Sequence, residues 1–167
     1  MRRVGKYVGI LASLVMLLAL TSPVALAGNP HFIKNATSDS LSGANLVATF
    51  KEAGLPSGAT ETLTLSAHEA VTYECVNGGN HNPSASNKTT FQETNSVSGN
   101  FTADQNGNVV GSLTLTVPSA ASLGFACPPG QTTTFVSVSY SNVSLSDADT
   151  GISIALADQS FVNPSAP

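Results

Sequence analysis

Apolar side chains recur at every second position in several short runs of this chain, and this period constrains the fold more than any other feature. Residues 45–52 place Leu46, Ala48 and Phe50 on one face of an extended strand. The same alternation occurs at residues 60–67, 69–76, 98–104, 109–117 and 132–145. Clusters of Gly, Pro, Asn and Asp separate the runs at intervals of roughly ten residues, which is typical of a β-sandwich or barrel. The pattern therefore predicts an all-β protein.

The composition agrees with sheets that bury one face and expose the other. Charged residues make up 10% of the chain, against about 25% in average soluble domains, and Ser, Thr, Asn and Gly take their place. Neutral polar side chains beside Val, Leu and Phe are typical of half-buried antiparallel sheets. We expect a single sandwich of seven to nine antiparallel strands, immunoglobulin-like or jelly-roll-like. Parallel sheets are excluded because no stretch could supply their crossover helices.

Two local features refine the strands. The pair Asn106-Gly107 is a strong hairpin signal because both residues accept a positive φ, so we expect a hairpin between residues 98–104 and 109–117. In the run 132–145 the apolar residues lie at even-numbered positions up to Tyr140 and at odd-numbered positions from Val143. This change of parity predicts a β-bulge near Asn142. The inward residues of that run are expected to be Val136, Val138, Tyr140, Val143 and Leu145.

The N-terminal residues form a leader for export. Arg2, Arg3 and Lys6 precede an apolar run over residues 7–20, and residues 25–27 read Ala-Leu-Ala, a signal-peptidase site. The run of about 14 residues is shorter than the roughly 20 that cross a bilayer. We therefore expect residues 1–27 to be a cleaved signal peptide, 28–160 the sandwich domain and 161–167 a C-terminal tail. The protein is expected to be secreted, with no membrane attachment after cleavage.

The charge of the mature chain narrows the possible partners. After cleavage it keeps three lysines, Lys34, Lys51 and Lys88, against ten carboxylates, a formal charge of −7. Nucleic acids and anionic lipids are bound by clusters of Lys and Arg. The acidic chain has no such cluster, so nucleic acid is excluded as a partner.

The two cysteines, Cys75 and Cys127, are expected to form a disulfide. Export places them in an oxidising compartment, where disulfides persist. Cys75 also shares the inward parity of Val71 and Tyr73 in the run 69–76, so its sulfur should face the core. Two separate buried thiols are the alternative.

Three aspartates are candidate calcium ligands. Asp147 and Asp149 precede Gly151, and Asp104 precedes Asn106 and Asn108, so oxygen ligands stand at alternate positions as in calcium loops. Neither segment matches a complete calcium loop. The alternative is turn chemistry, because Asp, Asn and Gly are also the usual turn residues.

The longest polar loop, residues 77–88, follows Cys75 directly. Binding residues often lie on loops of a rigid scaffold, and the amides here could hydrogen-bond a sugar or a peptide. The candidate binding residues are Asn77, Asn80, His81, Asn82 and Asn87. A solvated surface loop is the alternative reading.

No catalytic residue or cofactor is assigned from the sequence. The chain has no Gly-x-Ser-x-Gly elbow and no pair of histidines at zinc-ligand spacing. The strand glutamates are expected at outward positions or in turns, where they could not form a buried acid pair. These glutamates are Glu61, Glu69, Glu74 and Glu93.

Several short segments carry a resemblance to known sequences. They are residues 29–32 (NPHF), 50–55 (FKEAGL), 75–79 (CVNGG), 82–83 (NP), 87–88 (NK), 127–131 (CPPGQ) and 138–143 (VSYSNV). With the leader, these segments resemble a group of small secreted proteins of filamentous soil bacteria, of the actinobacterial kind, to which no activity is assigned. The resemblance implies secretion and supplies no site residues.

These observations favour a secreted, non-enzymatic β-sandwich with a role in extracellular binding, adhesion or surface coating. Its partner would be a glycan or another surface polymer. The first alternative is a small secreted hydrolase using Asp104, Asp147 or Asp149, which requires these acids to converge with a histidine in one pocket. The second is a protease inhibitor that presents residues 128–131 beside Cys127.

Overall fold

The alternating runs form nine β-strands in the part of the chain that the structure, a computed structural model, describes: residues 28–77 and 87–166. The strands are β1 (His31–Phe32), β2 (Ser38–Ser42), β3 (Asn45–Ala53), β4 (Thr60–Asn77), β5 (Lys88–Thr102), β6 (Asn108–Leu115), β7 (Gln131–Asp147), β8 (Ser153–Ala155) and β9 (Gln159–Val162). A 3-10 turn, Lys34–Ala36, follows β1. The all-β prediction is confirmed. The predicted signal peptide, residues 1–27, lies outside the described residues.

The strands form two antiparallel sheets. In the smaller sheet β3 is central, with β6 along one edge and β1 and β2 along the other. In the larger sheet the order is β5-β4-β7, and β8 and β9 share the outer edge of β7. Apolar side chains from both sheets fill the space between them, so the fold is a sandwich as expected. Within the described ranges no helix has the length and apolarity needed to cross a membrane.

The central strand β4 is a single strand of 18 residues, not two strands divided near His68. Leu63, Leu65, Ala67 and Val71 are all buried at odd-numbered positions, so one alternation continues through the whole strand. The irregularities lie in the neighbouring strand β7 instead. This is possible because an extra residue in one strand bends it without changing the parity of its partner.

The predicted β-bulge in β7 is present. Asn142 has a positive φ of 52°, and the register between β4 and β7 shifts by one residue beside it. A second register shift, between Thr72 and Tyr73, was not predicted. It places Phe135 rather than Val136 against the core, where the Phe135 ring lies 5.7 Å from the ring of Tyr73.

The predicted hairpin around Asn106-Gly107 is wrong. Strand β5 pairs with β4 and strand β6 pairs with β3, so the connection crosses from the larger sheet to the smaller one. The turn itself forms as expected, with Gly107 at a φ of 72°. An Asn-Gly pair fixes the local turn, whereas the edges that pair are decided by the strands β3 and β4 elsewhere in the chain.

The disulfide Cys75–Cys127 is present, with 52 residues of sequence separation. It joins the end of β4 to the long connection between β6 and β7. The hydroxyl of Tyr73 also donates a hydrogen bond to the carbonyl of Pro118 in this connection, at 2.8 Å. At the C-terminus β9 extends the larger sheet to Val162, past the predicted boundary at residue 160.

Removing the disulfide is expected to lower the free energy of unfolding by about 4 kcal/mol, because a crosslink over such a long loop restricts the unfolded chain. The double variant Cys75→Ala/Cys127→Ala and the wild type would be compared by urea unfolding. Reductant should destabilise the wild type and leave the double variant unchanged. A difference below about 1 kcal/mol would contradict the prediction.

Gly111→Ala is expected to destabilise the fold by about 1–3 kcal/mol. An added Cβ at Gly111 would lie 2.5 Å from a ring carbon of Phe101 and 2.9 Å from one of Phe50, two rings that already contact each other edge to face. Urea unfolding measures the loss. Ser112→Ala, at the next and exposed position of β6, is the control and should change stability by less than about 0.5 kcal/mol.

Candidate functional site

Five carboxylates of the described chain are buried, although the strand glutamates were expected in solvent. The buried groups are Glu52, Glu61, Glu69, Glu74 and Asp147, each 5% exposed or less. The prediction is therefore wrong for Glu61, Glu69 and Glu74, whereas Glu93 is exposed as expected. Glu61 and Glu69 occupy the same odd-numbered inward positions of β4 as its leucines. Glu74 lies on the other face, where the Lys88 ammonium stands 2.9 Å from its carboxylate.

Three carboxylates meet at the end of the sandwich where β4 begins and β7 ends. Carboxylate oxygens of Glu61, Asp147 and Asp149 all lie within 4.8 Å of one another. Glu61 points inward from β4, and Asp147 is the last residue of β7 and is paired in the sheet with Leu63. Asp149 follows in the turn to β8 and is exposed.

A fourth carboxylate approaches from the opposite sheet. Glu52 has the even-numbered parity of Leu46 and Phe50 in β3, so it points into the core toward Asp147 and is fully buried. In its ionised form neither oxygen has a hydrogen-bond donor among the residues the structure describes. Burial, then the charge of Asp147, a hydrogen bond from the protonated Glu52 carboxyl to Asp147 and the charge of Glu61 raise the pKa of Glu52 to about 8. We call Glu52, Glu61, Asp147 and Asp149 the carboxylate cluster.

Hydrogen bonds hold the two aspartates of the cluster in place. Asp147 accepts the backbone N–H of Asp149 at 2.9 Å and the hydroxyl of Thr150 at 2.7 Å. Asp149 accepts the backbone N–H of Thr62, at the start of β4, at 2.7 Å. Burial raises the pKa of Glu61, and the charges of Asp147 and Asp149 raise it further.

Among the described residues the one ion pair joins Lys88 to Glu74, outside the cluster. No basic side chain of these residues therefore forms an ion pair with the carboxylate cluster. The cluster thus combines four acidic groups without a compensating positive charge. The sequence predicted a calcium site from Asp147 and Asp149, and the structure brings these two together with two glutamates that sequence reasoning did not include.

Asp104 lies outside the cluster and serves a turn. Its carboxylate accepts the backbone N–H groups of Asn108 at 2.9 Å and Asn106 at 2.7 Å. These hydrogen bonds, that of Asn108 first, lower the pKa of Asp104. The Asp104 carboxylate thus has a role in the turn between β5 and β6, which agrees with the turn alternative. Calcium binding by this segment stays a prediction.

The predicted polar loop is described only at its ends. Asn77 is the exposed last residue of β4 and Asn87 is half-buried before β5, whereas Asn80, His81 and Asn82 lie outside the described residues. The segment proposed for protease inhibition has residues 128–130 exposed beside the disulfide. Both roles stay predictions.

The hydrolase hypothesis required acids and a histidine in one pocket. Neither His31 nor His68 belongs to the acidic group around Asp147. A groove of about 660 Å³ lies between β2 and β8 and is lined by Asp39 and Lys34 rather than by the predicted acids. Both oxygens of Asp39 accept hydrogen bonds, from Ala157 and Gln159. The predicted catalytic arrangement is not formed by these residues.

The outer face of the larger sheet carries a regular array of hydroxyl groups, which we call the hydroxyl face. Its members alternate with core residues along three adjacent strands and are exposed or half-exposed. They are Thr62, Thr64, Ser66 and Thr72 of β4, Thr90, Thr94, Ser96 and Ser98 of β5, and Ser137, Ser139, Ser141, Ser144 and Ser146 of β7.

Cross-strand hydrogen bonds order part of the hydroxyl face. Thr64 and Ser98 are joined at 2.8 Å and so are Thr72 and Thr90. The ionisable side chains that these strands place on the same face are His68 and, beside Thr72 and Thr90, the ion pair of Glu74 with Lys88. The face thus carries little net charge, even though the protein as a whole is acidic.

Comparison with known proteins finds no matching family, curated protein or solved structure. The features of the described chain that bear on function are the hydroxyl face and the carboxylate cluster.

Glu69 generates a pH-dependent prediction that is separate from the cluster. It is fully buried, and one oxygen accepts a hydrogen bond from the Asn95 amide at 2.8 Å. Burial raises its pKa above the ordinary 4.5, and the charge of Glu93 adds to this. Since the folded protein binds this proton more tightly than the unfolded chain, Glu69 stabilises the fold at low pH and loses that contribution as the pH rises.

Glu69→Gln cannot titrate, so its stability relative to wild type should increase over the pH range above 4.5, the ordinary pKa of a glutamate. Urea unfolding at several pH values measures the difference. Asp158→Asn, which removes an exposed carboxylate, is the control and should follow the wild type. A constant difference between Glu69→Gln and wild type across this range would contradict the assignment.

Proposed function

We propose that this protein is a secreted, non-enzymatic binding module whose hydroxyl face attaches to a neutral polysaccharide outside the cell. The observation that carries the proposal is the nearly uncharged array of Ser and Thr side chains across three strands. A neutral glycan presents hydroxyl groups and no charge. Ser and Thr match it because each hydroxyl both donates and accepts hydrogen bonds.

The geometry of a sheet suits a repeating ligand. Side chains on one face of a strand are spaced by about 6.6–6.8 Å, and neighbouring strands by about 4.7–4.9 Å. Each exposed hydrogen bond contributes little, so affinity would come from many contacts made at once. The cross-strand pairs, such as Thr64 with Ser98, hold hydroxyls in fixed positions and reduce the entropy lost on binding.

The charge distribution supports a neutral rather than an anionic polymer. The mature chain carries a formal charge of −7, so an acidic polysaccharide would be repelled. The positions of the hydroxyl face hold no aromatic ring for sugar stacking, which makes hydrogen bonding the mode of recognition. The predicted leader and the disulfide Cys75–Cys127 support the extracellular location.

Sedimentation of the mature protein with insoluble cellulose, chitin, starch granules and xylan tests the proposal. The double variant Ser96→Glu/Ser139→Glu places two charges on the hydroxyl face and should weaken binding about tenfold or more, a loss of about 1.4 kcal/mol. Ser40→Glu/Ser112→Glu places the same charges on exposed positions of the smaller sheet and should leave binding unchanged.

Urea unfolding would establish that both double variants keep the wild-type stability. Failure of the wild type to sediment with any of the neutral polymers would contradict the proposal. So would equal losses in the two double variants, because they would assign the contact to overall charge rather than to the hydroxyl face.

A further inference from the structure

We propose that the carboxylate cluster is a calcium site, with Glu52, Glu61, Asp147 and Asp149 as its ligands. This inference is independent of the polysaccharide proposal, because it concerns the buried carboxylates rather than the hydroxyl face. It differs from the site expected from sequence, because Asp104 is replaced by two glutamates that come from separate sheets.

The spacing of the oxygens fits one shared ion. Calcium binds oxygen ligands at about 2.3–2.6 Å, so two ligands on opposite sides of the ion stand about 4.6–5.2 Å apart. The oxygens of Glu61, Asp147 and Asp149 lie within 4.8 Å of one another, inside this limit. One cation can therefore contact all three without rearrangement of the strands.

Glu52 supplies an observation that is independent of this spacing. It is fully buried beside Asp147, and in its ionised form neither oxygen has a hydrogen-bond donor in the described ranges. Buried carboxylates are normally paired, hydrogen-bonded or bound to a metal. The protonated carboxyl of Glu52 can donate a hydrogen bond to Asp147, whereas its ionised form meets only the negative charges of Asp147 and Glu61. A cation at the cluster would provide the partner that the ionised side chain lacks.

The donor set selects the type of cation. It consists of carboxylates alone, with no His or Cys in the group, and such oxygen ligands favour calcium, magnesium or manganese over zinc. Magnesium demands near-octahedral geometry at about 2.0–2.1 Å and keeps several waters, whereas calcium accepts irregular sets of six to eight oxygens. Four carboxylates from β3, β4 and the end of β7 are an irregular set, and exposed Asp149 leaves access for water.

Because of where the cluster lies, a bound ion would contact residues of both sheets. Glu52 belongs to the smaller sheet and the other three ligands to the larger one or the turn that follows it. A bound ion would connect the two sheets at this end of the sandwich and would neutralise charges that otherwise repel. Because the unfolded chain does not assemble the site, calcium should stabilise the folded state in proportion to its concentration.

The test uses the mature protein freed of metal with chelator and then titrated with calcium chloride. We expect a single-site binding heat by calorimetry and a rise in the thermal unfolding midpoint of about 5 °C or more at saturating calcium. No heat and no change of midpoint at about 10 mM calcium would overturn the proposal. A rise with magnesium or manganese but not with calcium would overturn the choice of ion.

Variants separate a ligand role from a purely structural one. Metal-free Glu52→Gln should unfold at the same or a higher temperature than metal-free wild type, because a neutral amide replaces a buried acid, yet it should lose at least tenfold in calcium affinity. Asp149→Asn should show the same loss from an exposed position. Asp104→Asn, outside the cluster, should bind calcium like the wild type. Undiminished calcium affinity in both cluster variants would overturn the assignment.

Discussion

The uninterrupted alternation of β4 is the constraint on which the rest of the structure depends. This strand pairs with β5 on one side and β7 on the other over nearly its whole length. Its odd-numbered residues therefore determine which side chains of three strands face the core. The same rule that buries Leu63 and Val71 also buries Glu61 and Glu69. The buried glutamates of β4 therefore lie at inward positions that a leucine could equally occupy.

Features encoded within a few residues could be predicted from the sequence. The inward faces, the bulge at Asn142 and the inward direction of Cys75 all follow from period-two alternation, which is a local property. The pairing of strands was not local. The turn at Gly107 formed, but β5 and β6 entered different sheets because β3 and β4 provide their partners. The register shift that brings Phe135 into the core likewise depends on β4.

The candidate site was predicted only in part, for a related reason. Asp147 and Asp149 are close in sequence, and oxygen ligands at alternate positions indicated them. Glu52 joins them only when the two sheets stack, and nothing near residue 52 encodes this approach. The burial of Glu61 could have been predicted, because Glu61 shares the odd-numbered inward parity of Leu63. Its charge favours solvent, however, and led to the expectation of an exposed side chain. The hydroxyl face shows the reverse case, because alternation alone places its Ser and Thr side chains outward.

The two ends of β4 close the sandwich by different chemistry. Cys75, near its end, holds the chain that crosses from the smaller sheet to β7, through a covalent bond. Glu61, near its start, lies about 45 Å away along the extended strand and belongs to a group of acids that repel one another. An apolar core would close that end without any ion. Under the calcium proposal, closure of that end would depend on neutralising these acids. Glu61 and Asp147 lie at inward positions there, so the Ser and Thr side chains of the hydroxyl face remain on the outside of the sheet.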